Sequence, residues 1–164
     1  MNSNLVFRWM RRGDLPQVMA IDDQAFGEHA WTEDVFIDTM RRGNCIGVVV
    51  EDYSTREVVG YLMYEWQKKR LHLFTLAVRQ DMRRQGIGRM LLGRLTPKLA
   101  SKGLLRLMAE VRETNLDAQL FFAACGFRAT SVLKNFYDPS ECRDDAYVFE
   151  YRYPEMSKKG AKSQ

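Results

Sequence analysis

The sequence is poor in the side chains that bind metals or form disulfide bonds. It has three cysteines and two histidines among 164 residues. Cys45, Cys125 and Cys142 are odd in number and lack the Cys-x-x-Cys spacing of zinc sites. His29 and His72 lie far apart in the chain. We therefore expect no metal ion and no disulfide framework, and reduced thiols indicate a cytoplasmic location.

The sequence also lacks a long apolar run and a strong excess of one charge. No apolar stretch approaches the roughly 18–20 residues of a membrane-spanning helix, and no signal peptide is recognisable at the N-terminus. The formal net charge is +4, and the basic clusters are spread along the chain. Solvated turns account for such clusters better than a nucleic-acid interface does. We expect neither membrane association nor direct binding of nucleic acid.

The sequence does contain enough apolar residues for one domain. Hydrophobic residues make up 46% of the chain and charged residues 28%, as is typical of globular proteins. We predict a single domain over residues 1–153. Residues 154–164 are rich in lysine and serine, and we predict that they form a disordered tail.

Hydrophobic periodicity and turn residues divide the domain into strands and helices. Strands are predicted over residues 5–11, 45–52, 58–67, 71–78, 105–112, 127–134 and 146–153. Helices are predicted over residues 14–26, 33–42, 90–102 and 115–125, the last one capped by Thr114. Pro97 interrupts the third helix and predicts a kink or an earlier end. The order β-α-α-β-β-β-α-β-α-β-β is that of a mixed α/β fold with helices on a single sheet.

The most informative segment lies between the predicted strand 71–78 and the helix that follows it. It consists of Arg83, Arg84, Gln85, Gly86, Ile87, Gly88 and Arg89. N–H groups at a helix start have no internal partner, glycine lets a phosphate approach them, and arginine supplies charge. A Rossmann loop needs a small residue where Leu91 stands, and a P-loop needs Lys and Ser or Thr after Gly88. We therefore predict a different kind of site for a ligand with several phosphates.

The remaining signature, Arg/Gln-x-x-Gly-x-Gly/Ala, resembles the acetyl-CoA pyrophosphate loop of the GCN5-related N-acetyltransferase (GNAT) family. The likeness covers roughly residues 5–153, and within the family it is greatest to the ribosomal-protein-alanine N-acetyltransferases. Segments 31–33 (Trp-Thr-Glu), 73–78 (Leu-Phe-Thr-Leu-Ala-Val), 110–115 (Glu-Val-Arg-Glu-Thr-Asn), 126–127 (Gly-Phe) and 134–137 (Lys-Asn-Phe-Tyr) carry it. The resemblance implies a mixed, mostly antiparallel central sheet with helices on both faces.

The resemblance also implies acetyl-CoA as the co-substrate, bound without a metal. Main-chain groups of Leu76, Ala77 and Val78 are implied to bond its acetyl and pantetheine arm. Residues 83–89 are implied to hold its pyrophosphate, and Asn115 to bond the arm further along. An alternative for residues 76–78 is that they are only buried strand. Both can hold, because main-chain bonding leaves the side chains free to pack.

Acetyl transfer requires an uncharged amine. The pKa of an N-terminal amine is about 7.7–8.0 and that of lysine about 10.4, so only the former is substantially neutral at cellular pH. A mild carboxylate base then suffices, and Glu110, where the resemblance places this base, is the candidate. The alternative is a surface carboxylate paired with Arg112, worth about 0–1 kcal/mol.

One position departs from the family. Its members commonly place a tyrosine seven residues after the Asn, where it protonates the leaving thiolate; here this residue is Phe122, preceded by Phe121. Phenylalanine cannot donate a proton, so Phe122 is predicted only to contact the cofactor. Tyr137 is a candidate catalytic replacement if its loop folds over the thioester. An alternative of equal weight is that Tyr137 packs or contacts a peptide.

The sequence leaves three functions open. The first is an acetyl-CoA-dependent N-acetyltransferase for the N-terminal α-amine of a protein, of the ribosomal-protein type. The second is an acetyltransferase for a small-molecule amine, and the third is a non-catalytic acyl-CoA-binding module, which Phe122 keeps open. The acceptor is expected near residues 26–31, where the family usually forms part of its acceptor groove. We expect a monomer or a homodimer.

Overall fold

Seven strands form one sheet at the centre of the molecule. The computed structural model describes residues 4–101, 104, 106–137 and 144–153, so the tail predicted at 154–164 lies outside the described residues. The strands are β1 (Leu5–Trp9), β2 (Cys45–Asp52), β3 (Glu57–Gln67), β4 (Arg70–Val78), β5 (Arg106–Arg112), β6 (Arg128–Leu133) and β7 (Ala146–Arg152). The helices are α1 (Leu15–Phe26), α2 (Glu33–Arg41), α3 (Ile87–Gly93), α4 (Thr96–Ser101) and α5 (Leu116–Ala124).

The strand order in the sheet is β1-β2-β3-β4-β5-β7-β6. All neighbouring strands are antiparallel except β4 and β5, which run parallel. Parallel neighbours need a long crossover connection, and here the crossover contains the phosphate loop, α3 and α4. The prediction of a mixed, mostly antiparallel sheet is confirmed.

Two apolar cores hold the helices on opposite faces of the sheet. On one face, Leu62 and Leu71 pack in a cluster with Leu91 of α3 and with residues of α4 and α5. On the other face, Tyr61 packs in a cluster with Val18 of α1 and with residues of α2. Each buried side chain of this size contributes about 1.5–3 kcal/mol. The two layers confirm the prediction of helices on both faces.

The helix predicted over 90–102 is two short helices. α3 ends at Gly93 and α4 begins at Thr96. At the break, the N–H of Arg94 bonds three residues back to Leu91 at 3.1 Å, which tightens and ends α3. Pro97, in the first turn of α4, has no N–H to continue the ladder. The prediction of one helix is wrong, and the alternative of an earlier end is confirmed.

Candidate active site

Strand β4 contains one extra residue, Phe74. Across from it on β3, Tyr64 faces Leu73 and Met63 faces Thr75, so Phe74 has no partner residue in the ladder. Such a bulge bends its strand and reverses which face the following side chains occupy. The bulge lies where β4 leaves its parallel neighbour.

The parallel strands β4 and β5 separate beyond the bulge. In the described part of the chain their pairing ends where Leu73 lies opposite Ala109, although β4 continues to Val78 and β5 to Arg112. The last residues of β4 therefore have one main-chain edge on β3 and the other on a gap in the sheet. An unpaired strand edge offers N–H and C=O groups to a ligand.

Leu76, Ala77 and Val78 border this gap. Their pairing partners lie on β3, and their side chains pack into the two cores, Ala77 on the α1 face and the other two on the α3 face. Both sequence-based interpretations of these residues are therefore geometrically compatible. The side chains are buried or half-buried strand residues. Main-chain groups along this edge can face a ligand, although the carbonyl oxygen of Val78 already accepts a hydrogen bond from Nε of Arg83.

The loop before α3 presents a run of N–H groups. Arg84 and Gly86 have left-handed φ angles of 63° and 84°, a conformation that glycine adopts without steric cost. Among the described residues, the N–H groups of residues 84–89 have no hydrogen-bond acceptor. Consecutive N–H groups of this kind form a concave site for the oxygens of an anion.

The arginines of the loop differ in their surroundings. Arg83 donates through Nε to the carbonyl oxygen of Val78 at 2.9 Å, and Arg89 donates to that of Ala124 at 3.2 Å. Arg84 is exposed, and its guanidinium has no partner among the residues that the structure describes. Of the three, Arg84 has the guanidinium that is freest to bind phosphate.

Helix α5 lies beside the loop. Its first turn is capped by Asn115, whose Oδ1 accepts a 3.0 Å hydrogen bond from the N–H of Ala118. The predicted cap, Thr114, is therefore wrong by one residue. Further along, Phe121 contacts Gly88, where a Cβ would lie 3.1 Å from the Cζ of Phe121. Glycine at this position lets α3 and α5 approach each other.

Glu110 of β5 is hydrogen bonded to His72 of β4. Its Oε2 lies 2.5 Å from Nε2 of His72, and the two side chains are only 13% and 17% exposed. The ring of His72 also contacts that of Phe74, with centroids 4.8 Å apart. The alternative pair of Glu110 with Arg112 is not formed, because Arg112 pairs with Asp144.

Tyr137 lies against the same carboxylate-bearing residue. Its hydroxyl donates to the main-chain oxygen of Glu110 at 3.0 Å, and the guanidinium of Arg112 lies 4.0 Å from its ring centroid. The main-chain N–H of Asn135 donates to the carboxylate of Asp145 at 3.0 Å, which holds the turn just before Tyr137 in place. Burial, and then the nearby charge of Glu110, raise the pKa of Tyr137 to about 12, with Arg112 opposing. The phenol therefore keeps its proton at neutral pH.

Phe122 belongs to the core between α5 and the sheet. It is 7% exposed, and its ring centroid lies 5.0 Å from that of Phe127 and 5.9 Å from that of Phe149. Its neighbour Phe121 is the residue that reaches the phosphate loop. Contact of Phe122 with the cofactor stays a prediction.

An apolar wall adjoins His72 on the α1 side. The rings of Trp31 and Phe74 have centroids 6.3 Å apart, and the N–H of Trp31 donates to the buried carboxylate of Asp22 at 2.6 Å. Burial raises the pKa of Asp22, against hydrogen bonds from Tyr61 and Trp31 that lower it. The predicted acceptor segment at 26–31 is therefore anchored beside the gap.

Metal-binding clusters and membrane-spanning helices are both absent from the described residues. Among the residues that the structure describes, no cluster of three or more His, Cys, Asp or Glu side chains could hold a metal ion. No helix in the part of the chain that the structure describes is both long enough and apolar enough to span a bilayer.

His72 and Phe74 are site residues that the sequence pattern did not single out. Phe74 had a recognisable signal, because the apolar positions Leu71 and Leu73 are followed by Leu76 and Val78, a change of parity that indicates a bulge. His72 had none, since its bond to Glu110 depends on the pairing of two strands that are distant in sequence.

Three features of this site occur together: a gap between parallel strands, a loop rich in free N–H groups beside it, and a carboxylate at its opening. Together they define an acetyltransferase of the GNAT class. Residues 13–127 match the Acetyltransferase (GNAT) family, and the chain belongs to this family. Its members use acetyl-CoA as the co-substrate. The chain is therefore an N-acetyltransferase.

Curated relatives and solved structures resemble this chain. The chain is 28% identical to the ribosomal protein bS18-alanine N-acetyltransferase of Salmonella typhimurium over 138 residues, which cover 82% of this chain and 88% of that protein. The crystal structure of the ribosomal-protein-S18-alanine N-acetyltransferase from Escherichia coli matches with a TM-score of 0.79 at 23% identity, over 96% of this chain and 99% of that one. A nourseothricin acetyltransferase matches with a TM-score of 0.75 at 18% identity, over 93% and 100%. These structural likenesses show the fold alone.

Proposed function

We propose that this chain transfers the acetyl group of acetyl-CoA to the N-terminal α-amine of a protein. The Salmonella relative is named as an N-acetyltransferase for an alanine of ribosomal protein bS18, which supports a protein acceptor. The observation that carries the proposal is the meeting of Glu110 and Tyr137 at the gap between β4 and β5. A cytoplasmic location is part of the proposal, and the free thiols of Cys45 and Cys125 support it.

The residues around the gap fit acetyl-CoA. Main-chain groups of Leu76, Ala77 and Val78 would hold the acetyl and pantetheine arm along the open edge of β4. The N–H groups of residues 84–89 and the exposed Arg84 would hold the pyrophosphate, with Arg83 and Arg89 adding charge. Asn115, at the start of α5, would bond the arm through its amide. When bound, the cofactor supplies an activated acyl group.

Glu110 is proposed as the general base. An N-terminal ammonium group with a pKa of about 7.7–8.0 is substantially deprotonated at cellular pH, so the neutral amine can attack the carbonyl carbon. The nitrogen becomes acidic as the new bond forms, and a carboxylate can accept the proton that it then releases. Glu110 lies in β5 at the mouth of the gap and is largely shielded from solvent. Since Arg112 is engaged by Asp144, its guanidinium does not neutralise the Glu110 carboxylate.

Tyr137 is proposed as the general acid that replaces the tyrosine absent at position 122. As the bond between carbonyl carbon and sulfur breaks, the thiolate takes the phenolic proton, and solvent then restores it. With a pKa of about 12, Tyr137 holds this proton throughout the neutral range. The packing of Phe122 supports a proton donor at Tyr137 rather than at position 122, because the ring of Phe122 is buried among other phenylalanines.

A thiol-release assay tests the proposal. The enzyme is given acetyl-CoA with peptides that differ in their first residue, with the same peptides blocked at the N-terminus, and with free polyamines and aminoglycosides. We expect thiol release only with free N-termini, and mass spectrometry should locate the acetyl group on the α-nitrogen. Transfer to small amines but to no peptide would replace the proposal with the second function. Tight acetyl-CoA binding without any transfer would replace it with the third.

A further inference from the structure

The hydrogen bond between His72 and Glu110 has a defined direction. An ionised carboxylate can only accept hydrogen bonds, so Nε2 of His72 must carry the hydrogen when Glu110 acts as a base. The bond engages Oε2 of Glu110, and no described residue bonds Oε1. One oxygen is thus fixed by the protein, and the other is left for the amine.

The position of His72 is fixed from several sides. Leu71 and Leu73, which flank it on β4, are anchored in the core on the opposite face of the sheet. The Phe74 ring contacts the imidazole edge-to-face. Glu65 lies directly opposite on β3 and is itself held by Gln67 at 2.6 Å. The imidazole therefore lies between two acidic residues, and its orientation is set by rigid strands rather than by a loop.

The location matters because the His72–Glu110 pair spans the end of the β4–β5 ladder, where the gap opens. His72 faces Met108 in the parallel register, and the ladder ends one residue later. Glu110 is the first residue of β5 beyond this ladder of described residues, where the main-chain pairing with β4 has ended. At this point the hydrogen bond between the side chains of His72 and Glu110 connects the two strands, where main-chain hydrogen bonds no longer do.

We propose that His72 is a positioning residue for the general base. It donates a hydrogen bond from Nε2 to Oε2 of Glu110, which holds the carboxylate in one rotamer with its free oxygen toward the acceptor amine. This inference rests on the proposed function, since it requires Glu110 to be the base. In this proposal His72 acts through Glu110 and not on either substrate directly.

The test compares two substitutions of His72 in the full chain. His72→Leu removes the donor, and His72→Gln keeps an amide N–H near the position of Nε2. We expect His72→Leu to lower kcat about 10–100-fold, with the KM for acetyl-CoA unchanged, and His72→Gln to recover kcat to within about 5-fold of the parent. Arg128→Leu, at an exposed position of the edge strand β6, is the control and should leave kcat unchanged.

A double-mutant cycle with Glu110→Gln separates this inference from the proposed function. If His72 acts through Glu110, His72→Leu should cost nothing further in the Glu110→Gln background. Additive losses, or a Gln variant as slow as the Leu variant, would overturn the positioning role. Full activity of His72→Leu beside an inactive Glu110→Gln enzyme would overturn it and leave Glu110 as the base. Full activity of Glu110→Gln would overturn the base assignment and this inference together.

Discussion

The phenolic oxygen of Tyr137 and the main-chain oxygen of Glu110 lie 3.0 Å apart, although 27 residues separate them in the chain. This bond places the proton donor and the proton acceptor of the proposed reaction on one residue of β5. The donor is attached to the main chain of Glu110, and the acceptor is its side chain. Their spacing therefore depends on a single strand.

Replacing Tyr137 with phenylalanine should slow the chemical step. We expect kcat to fall about 100-fold, at the low end of the range for a general acid, because a thiolate is a tolerable leaving group. Steady-state kinetics with a good peptide measures this, and Tyr53→Phe at an exposed tyrosine is the control. An unchanged kcat would remove Tyr137 from the mechanism and favour its packing or peptide-contact role.

Restoring tyrosine at position 122 should not rescue the Tyr137→Phe enzyme. The added hydroxyl would enter a cluster of phenylalanine rings, where an unpaired polar group costs about 1–3 kcal/mol. We expect Phe122→Tyr to be destabilised by this amount in urea unfolding. Phe136→Tyr, at an exposed ring, should be neutral. Recovery of kcat in the Phe122→Tyr/Tyr137→Phe double variant would show that position 122 still reaches the sulfur.

Two glycines of α3 should respond differently to alanine. A Cβ added to Gly93 would meet no atom within 4 Å, whereas a Cβ on Gly88 would press on Phe121. We expect Gly93→Ala to stabilise the fold by about 0.5–1 kcal/mol through helix propensity. Gly88→Ala should lose that gain and weaken acetyl-CoA binding, as isothermal titration calorimetry can measure. Equal effects of the two substitutions would contradict the close contact between α3 and α5.

The pH dependence of turnover should lack a falling limb in the range where the enzyme is stable. Because the pKa of Tyr137 is raised to about 12, the phenol stays protonated, while the amine becomes neutral above about pH 8. We expect kcat/KM to rise up to about pH 8 and then to stay level to about pH 10. The same raised pKa contributes stability below about pH 10 that is lost as pH rises through about 12. A fall in kcat near pH 9 with the fold intact would exclude Tyr137 as the acid.

Local patterns in the sequence predict most of the fold. The alternating strands are placed to within one or two residues, because a half-buried strand imposes its period directly on the sequence. The helix after the phosphate loop is predicted wrongly as one piece, since Pro97 lies where one helix has ended and another begins within a few residues. The cap at Asn115 is missed by one position, because Thr114 is chemically equivalent as a cap.

The site is predictable only where a residue acts through its own chemistry. Glu110 is a candidate because it is a carboxylate at the position where the family resemblance places the base, and Tyr137 is a candidate because it is a phenol that could replace the tyrosine missing at position 122. The surroundings of Glu110 are not predictable, because they arise from the pairing of strands far apart in the chain. His72 resembles an isolated histidine until the parallel register of β4 and β5 places it beside the carboxylate.

The extra residue at Phe74 makes the geometry of the gap depend on the number of residues in β4. Before the bulge, β4 pairs with both β3 and β5, and after it β4 pairs with β3 alone. Removing or adding a single residue there would exchange the faces of Thr75 and Leu76 and send a polar side chain into an apolar layer. Surface loops tolerate changes of length, but this short stretch of strand does not. Its residue count is fixed by geometry rather than by the identity of any side chain.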